Sequence, residues 1–262
     1  MRERERVRAW RPAVPGIHEV LHAEFHEHAY PLHTHAEWSL LLIDAGEVAY
    51  RLEGRARRAP TATLTILPPG VPHDGRSAGA GGFRKRVAYV EAGWLDDDLV
   101  ERSVDAPLLA HPALAGAAAR MHRALEAGGD GLRAESELLA IRGVVLRDLG
   151  GRRMRERRDD PLAARLRALL DARLTGAPTL ADAARELEAS ASRLVRAFTA
   201  AYGIPPHRYL TGRRVDAARH LLLRGTPPAE VAAAVGFYDQ AHLTRHFART
   251  LGVTPARFQQ AA

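Results

Sequence analysis

Three histidines of this 262-residue chain are spaced for joint chemistry. His33 and His35 stand two apart, so an extended strand would present both on one face, together with Glu37 and Ser39. His73 ends the run Pro68-Pro-Gly-Val-Pro-His73, two strand-like segments later. Imidazoles that converge can hold zinc, nickel, manganese or iron(II), with Glu37 or water completing the shell. They can also line a pocket for a small molecule without any metal. His33, His35, Glu37, Trp38 and His73 are therefore candidate effector-binding residues, and His33, His35 and His73 are candidate metal ligands. His18, His22, His26 and His28 follow no ligand spacing and read as surface or strand residues.

A second chemistry lies in the last hundred residues, where two helix-turn-helix patterns are joined by a long helix. The first runs from Leu180 to Glu186-Leu187 and on through Ser190 to Phe198; the second runs from Ala229 through Gly236-Phe237 to Phe247. With Leu194 and Phe198 turned inward, the first unit leaves Ser192, Arg193 and Arg196 outside. With Leu243 and Phe247 inward, the second leaves Gln240, Ala241, Thr244 and Arg245 outside. Glutamine reads adenine and arginine reads guanine through paired hydrogen bonds, so these seven positions are candidate DNA contacts. His242 and His246 read as packing or phosphate-side residues.

The elements that must position these groups change along the chain. Residues 17–105 alternate as short strands punctuated by Gly and Pro, which suggests a sandwich or small barrel. Trp38 to Ile43, Asp44-Ala-Gly46 and Glu47 to Glu53 read as a hairpin; Thr61 to Leu67 and Arg84 to Val90 read as further strands. From Pro107 the spacing becomes helical. One helix carries Leu114, Ala117, Ala118, Met121 and Leu125 and stops at Gly128-Gly129; a second, over 132–149, presents Leu138, Leu139, Val145 and Leu146. That pair is a candidate dimer surface. Gly150 to Asp160 is charge-dense and reads as a linker, and Pro161 opens a helix with Leu162, Leu166, Leu169 and Leu170. Thr179 with Asp182, Ser190 and Asp239 are expected helix caps, and Gly236 an expected positive-φ turn. The joining helix, 206–223, is about 27 Å long. Such a strut can set two recognition helices about one duplex turn (roughly 34 Å) apart.

The chain is an α+β protein of two domains on this reading: 1–105 barrel, 106–150 helical hairpin, 151–160 linker and 161–262 all-α. The net charge of +7 is carried by residues 161–262, with 14 arginines against 7 carboxylates, as phosphate neutralisation requires. Cysteine is absent, which excludes disulfides, thiolate zinc sites and a cysteine-acceptor DNA repair activity. No apolar run reaches the ~18 residues of a membrane span. The charged start, Met1 to Arg8, lacks a secretory pattern, residues 1–12 are expected to fray, and a cytoplasmic protein is expected.

Residues 161–262 resemble the AraC/XylS family of bacterial transcription regulators. The resemblance rests on Arg196-Ala-Phe198, Tyr202-Gly-Ile-Pro-Pro-His-Arg-Tyr-Leu210, Arg214 with Ala217-Ala-Arg219 and Leu221-Leu222, Val231 to Phe237, and Gly252-Val-Thr-Pro-Ala-Arg-Phe258. It implies base contacts at Ser192, Arg196, Gln240, Thr244 and Arg245; Ala241 departs from the usual polar residue. The His33-x-His35 and Pro68-x-Gly70-x-x-His73 elements resemble the cupin barrel that such regulators carry, although metal cupins have a Glu where this chain has Ser39. The resemblance implies a non-enzymatic regulator that binds double-stranded DNA and a small-molecule effector, requires no cofactor, pairs as a homodimer and, as an activator, meets RNA polymerase. The alternative is a metal-dependent cupin enzyme fused to a DNA-binding module.

Overall fold

A computed structural model describes residues 5–109, 111–127, 131–150 and 160–260. The expected helix stop at Gly128-Gly129 and linker residues 151–159 lie outside that set.

Ten strands form two antiparallel sheets. The first sheet orders β1 (Arg6–Trp10), β2 (Ile17–Phe25), β9 (Phe83–Val90), β4 (Trp38–Gly46), β7 (Leu64–Leu67) and β10 (Leu108–Leu109). The second orders β3 (Tyr30–His33), β8 (His73–Ser77), β5 (Val48–Leu52) and β6 (Arg55–Ala59). The sheets face each other without closing, an open sandwich compatible with the expected cupin-like fold. The run Leu40 to Ile43 is apolar without alternation because both faces of β4 are covered. Leu41 and Ile43 face the second sheet, while Trp38, Leu40 and Leu42 face helices α2 (Pro112–Ala127) and α3 (Gly131–Gly150) on the outer side.

Several expectations change. β4 and β5 do not form a hairpin: β4 pairs with β7 and β9, and β5 with β6 and β8. The chain turns from one sheet to the other at Gly46, whose φ is +75°. Residues 6–10 do not fray; they pair with β2 from Arg6↔Glu24 to Trp10↔Val20. A helix, α1 (Asp98–Asp105), occupies a stretch read as strand; it buries Leu99 and Val104. On α3 the buried side is Ala134, Leu138, Ile141, Val145 and Leu149, and Leu139 is 60% exposed. A strict 3.6-residue period selects that set and turns Leu139 outward.

The C-terminal half is α4 (Pro161–Ala172), α5 (Leu180–Glu186), α6 (Ala191–Tyr202), α7 (Pro206–Leu223), α8 (Pro228–Ala234), α9 (Gln240–Leu251) and α10 (Pro255–Gln260). Asp160 caps α4 ahead of Pro161. Thr179 and Asp182 form the expected capping box, and Ser190 and Asp239 accept the backbone N–H groups of Arg193 and His242. The joining helix α7 spans the residues expected from the sequence. No described helix is long and apolar enough to cross a membrane.

The two halves are not beads on a linker. One apolar cluster continues from Leu21, Phe25 and Phe83 to Val215, Ala218, Phe247 and Phe258. Gly252, at the end of α9, has φ +77°, and a Cβ there would lie 2.9 Å from the Phe25 ring.

The sheet corner gives a stability test. A Cβ on Gly46 would lie 2.4 Å from the Gly82 carbonyl oxygen, whereas one on Gly54, at a similar φ of +77°, meets nothing. Gly54→Ala should lose only the left-handed backbone preference, about 1–2 kcal/mol, and Gly46→Ala distinctly more. Urea unfolding of both variants measures this; equal losses would reject the corner as the constraint.

Candidate functional site

The inner faces of the two sheets enclose a polar-headed cavity. On β9 the alternation brings Phe83, Lys85, Val87 and Tyr89 inward, opposite Tyr50 of β5 and His73 of β8. His33, His35, Ser39 and Tyr30 complete the polar wall. The remaining room is only about 50 Å3, enough for a few waters.

The three expected histidines do meet. His33 and His73 rings are 4.5 Å apart, His35 and His73 4.7 Å, and His33 and His35 6.4 Å. Each Nδ1–H donates to a backbone carbonyl: His33 to Pro31 at 2.8 Å, His35 to Glu37 at 2.7 Å and His73 to Val71 at 2.9 Å. These bonds fix Nε2 as the unprotonated nitrogen of each ring. Burial holds all three neutral: His33 and His35 lie well below the usual imidazole range, and His73 is pushed down to about 4.

The wall does not suit a divalent cation. Lys85 is in it, with Nζ 3.9 Å over the Tyr30 ring and no carboxylate partner among the described residues. The Ser39 hydroxyl, 2.9 Å away, donates to His35 Nε2. Asp74, at the rim, is held by Arg51. Burial, with Arg219 nearby, pushes Lys85 down to about 7, and the buried Tyr30 hydroxyl has no partner among the described residues. A cation, hydroxyl donors and neutral imidazoles suit an anionic or electron-rich head group.

Two expected cavity residues point elsewhere. Trp38 faces outward into the helix-covered core, its indole N–H donating to Ala92 O at 3.0 Å. Residues 34–37 leave the strand conformation, so the period-two argument fails there and Glu37 turns toward α7. Its carboxylate accepts from His220 Nε2 at 2.8 Å and lies 3.6 Å from His18. Burial would raise the Glu37 pKa, but the bond and charge of His220 bring it down to about 2; the same bond raises His220.

Glu37 belongs to a buried ionic network that joins the halves. Asp216, Arg219 and His220 lie on one face of α7 at helical spacing. Arg219 pairs with Glu19 of β2 at 2.5 Å and with Asp216 at 3.3 Å, and its guanidinium stacks 4.1 Å over the Tyr89 ring. Asp216 also accepts from Arg213 at 3.0 Å and from the Ala36 backbone N–H at 3.0 Å. Burial raises Glu19, while the carboxylates keep Arg219 firmly charged despite its burial. Burial and Glu37 push Asp216 up to about 6 in spite of its arginine partners. Tyr89 is thus shared: one edge lines the cavity and one face carries the strut's arginine.

The sequence reading missed Glu19, Lys85, Asp216, Arg219 and His220. Two signals were present. Glu19 falls in phase with Leu21, Ala23 and Phe25, and Lys85 with Phe83, Val87 and Tyr89, so both are charged residues at inward positions of otherwise apolar strand faces.

On the two helix-turn-helix units, Ser192, Arg193, Arg196, Gln240, Ala241 and Arg245 are exposed. Arg193, Arg196 and Arg245 have no acidic partner within ion-pair distance among the described residues. Thr244 is half-buried, and its hydroxyl donates to the Gln240 carbonyl at 2.8 Å, so its oxygen is engaged within its own helix. His242 and His246 pack on Phe237, with ring centres 5.3 and 5.8 Å away. Gly236 takes φ +85° in the turn before them, as expected. Tyr238, 92% exposed beside the start of α9, is an addition to this surface.

A small-molecule-type cavity in a β-sandwich, docked on a double helix-turn-helix, defines a two-module class. Residues 15–141 match the family profile of the AraC-like ligand binding domain, and residues 183–261 match that of a helix-turn-helix domain. The chain thus combines an AraC-like ligand binding domain with a helix-turn-helix domain. It is 35% identical over 69 residues to the probable transcriptional regulator LumQ of Photobacterium leiognathi, covering 26% of this chain and 28% of LumQ. It is 30% identical over 82 residues to the HTH-type transcriptional regulator ExsA of Pseudomonas aeruginosa, covering 31% of this chain and 30% of ExsA. The matches therefore span under a third of either relative. In fold, the chain is similar to ToxT of Vibrio cholerae strain SCE256 bound to an unsaturated fatty acid: TM-score 0.61, 14% identity, 99% of this chain and 97% of the other. It is similar too to ToxT of strain O395 bound to (E)-4-(8-methylnaphthalen-1-yl)but-3-enoic acid, with TM-score 0.58, 13% identity and 99% of each chain.

Two tests follow from this chemistry. Arg219→Met strands the Glu19 carboxylate in the interior and should cost about 3–5 kcal/mol, with Glu19→Gln/Arg219→Met recovering most of it. Denaturant titration decides; additive losses would show that the pair is not coupled. Separately, the cavity histidines have folded pKa values below their unfolded value near 6.5. The unfolded chain then binds protons that the folded chain refuses, so stability falls as pH drops from 6.5 toward about 4. At pH 5.5 each such histidine costs about 1.4 kcal/mol. His73→Gln should flatten the dependence of melting temperature on pH; an unchanged slope would count against a neutral His73.

Proposed function

We propose that this chain is a sequence-specific, DNA-binding transcription regulator of the cytoplasm, not an enzyme, whose sandwich cavity senses a small molecule and controls the paired reading helices. The observation that carries the reading is the double use of Tyr89, which lines the cavity and bears Arg219 of the strut between the two helix-turn-helix units. With about 50 Å3 free, the cavity is far below the roughly 300 Å3 of an ordinary ligand pocket. An effector can enter only by displacing wall side chains. It therefore favours a state in which Tyr89 and Arg219 have separated, and that difference in affinity is what shifts the population.

The effector class is an organic acid or similarly anionic amphiphile. Its head group pairs with Lys85 and the Tyr30 hydroxyl, and its body displaces the apolar side chains Leu41, Val48 and Val87. The acids bound by ToxT, a protein of similar fold, agree with that class. The His33, His35 and His73 trio supplies neutral hydrogen-bond groups, and no cofactor is required. Ser192, Arg193 and Arg196, with Gln240, Ala241 and Arg245, form the base-reading faces, while Tyr238 flanks the phosphate backbone. Thr244 contributes its methyl group. A homodimer forms through α3, where Leu132 and Leu139 stand 78% and 60% exposed and two turns apart. RNA polymerase is the further partner if the output is activation.

The test is selection of bound fragments from genomic DNA, followed by fluorescence anisotropy on the recovered site. Arg245→Ala should lose about 1–3 kcal/mol on that site and relax discrimination at one base pair. Lys85→Met should keep DNA binding but lose the response to medium-chain and long-chain fatty acids. Equal loss by Arg245→Ala on random DNA would make it a phosphate contact only. Failure to select any fragment at low salt would overturn the function.

A further inference from the structure

The ionic network holds a second kind of site, apart from the effector cavity. Asp216 and His220 are four residues apart on α7, so both project from one helix face. Glu37 reaches them from the sandwich, on the loop after β3. Ligand atoms of Glu37, Asp216 and His220 lie within 4.8 Å of one another, the one such grouping among the described residues. His220 Nε2 is 2.8 Å and His18 Nδ1 3.6 Å from the same Glu37 oxygen. Tetrahedral ligands held about 2.0–2.1 Å from zinc stand about 3.3 Å apart, so these groups are near ligating distance already. The other oxygen of Glu37, which is only 4% exposed, is buried and has no hydrogen-bond partner among the described residues.

Charge favours the same conclusion. Arg219 is matched by Glu19, and Arg213 is shared by Asp171 and Asp216. Glu37 has only imidazole partners among the described residues. Excess negative charge is therefore concentrated at Glu37, beside nitrogen ligands. A cleft of about 630 Å3 opens at this point, lined by His18, Glu37 and His220, and the His18 side chain is 43% exposed at its mouth. Mixed imidazole and carboxylate ligands select a first-row transition metal of the zinc class over calcium or magnesium. The arginine bonds to Asp216 supply the outer-shell support that ligating carboxylates normally receive.

We propose that Glu37, Asp216 and His220, with His18 closing from the cleft mouth, bind a divalent transition-metal ion of the zinc class between the two halves of the chain. Bound there, the ion ties the loop after β3 to α7 and favours the docked arrangement, because it has higher affinity for that state than for a separated one.

The test uses the full chain, freed of metal with a chelator and then dialysed. Calorimetric titration with zinc chloride should give about one equivalent bound and a raised melting temperature. Glu37→Gln and His220→Gln should abolish both effects. His18→Asn, at an exposed position, should weaken binding roughly tenfold or more while leaving the fold intact by circular dichroism. A His33→Ala/His73→Ala variant should still bind. No saturable uptake by the wild type overturns the site. So does unchanged affinity in His18→Asn and His220→Gln, or loss of uptake only in the His33→Ala/His73→Ala variant. The proposed regulatory function is read separately, by DNA binding of the same metal-free preparation.

Discussion

A buried guanidinium fixes this structure. Arg219 is 4% exposed, and a cation in that setting is tolerable only if it is paired and hydrogen-bonded. Glu19 and Asp216 take its hydrogen bonds and Tyr89 takes its face. These partners come from β2, α7 and β9, so one residue determines where the strut lies against the sandwich. A hydrophobic contact alone would permit sliding. The directional bonds of Arg219 allow one register between the halves, and the shared apolar cluster then supplies the area that makes the docking stable.

That arrangement explains how a nearly filled cavity can still be a sensor. The inner strand faces pack Phe83, Val87 and Tyr89 around Lys85 and three neutral imidazoles. Tight packing makes the wall bistable instead of elastic: a guest either stays out or moves a side chain by a full rotamer. Tyr89 is the side chain whose movement has a consequence at a distance, because it is one of the supports of Arg219. The arginines on the outer faces of α6 and α9 have no acidic partner among the described residues, so the docked state leaves those faces available while constraining the spacing between the two helices.

The fold was largely legible where a local rule determines the outcome. The C-terminal helices, their caps at Thr179, Ser190 and Asp239, the Gly236 turn and the extent of α7 all follow from nearest-neighbour chemistry, and the structure has them where the sequence implies. The N-terminal half was less legible. Gly46 looked like a hairpin turn but is a corner between sheets, because strand pairing depends on residues far away in sequence. Leu139 looked buried on α3 and is exposed, since adjacent leucines cannot share one helix face.

The sequence by itself determined the two-module organisation and which residues of α6 and α9 face outward, because helix periodicity and capping are local. The meeting of His33, His35 and His73 was implied only by the resemblance to the cupin barrel, since strand parity does not extend to His35. Only the tertiary structure decided that Glu37 leaves that group, that Lys85 joins it, and that Glu19 meets Arg219 across 200 positions of chain. The physical reason is the range of the forces involved. Backbone preferences act over a few residues, whereas burial of a charge is a property of whatever the finished fold brings beside it.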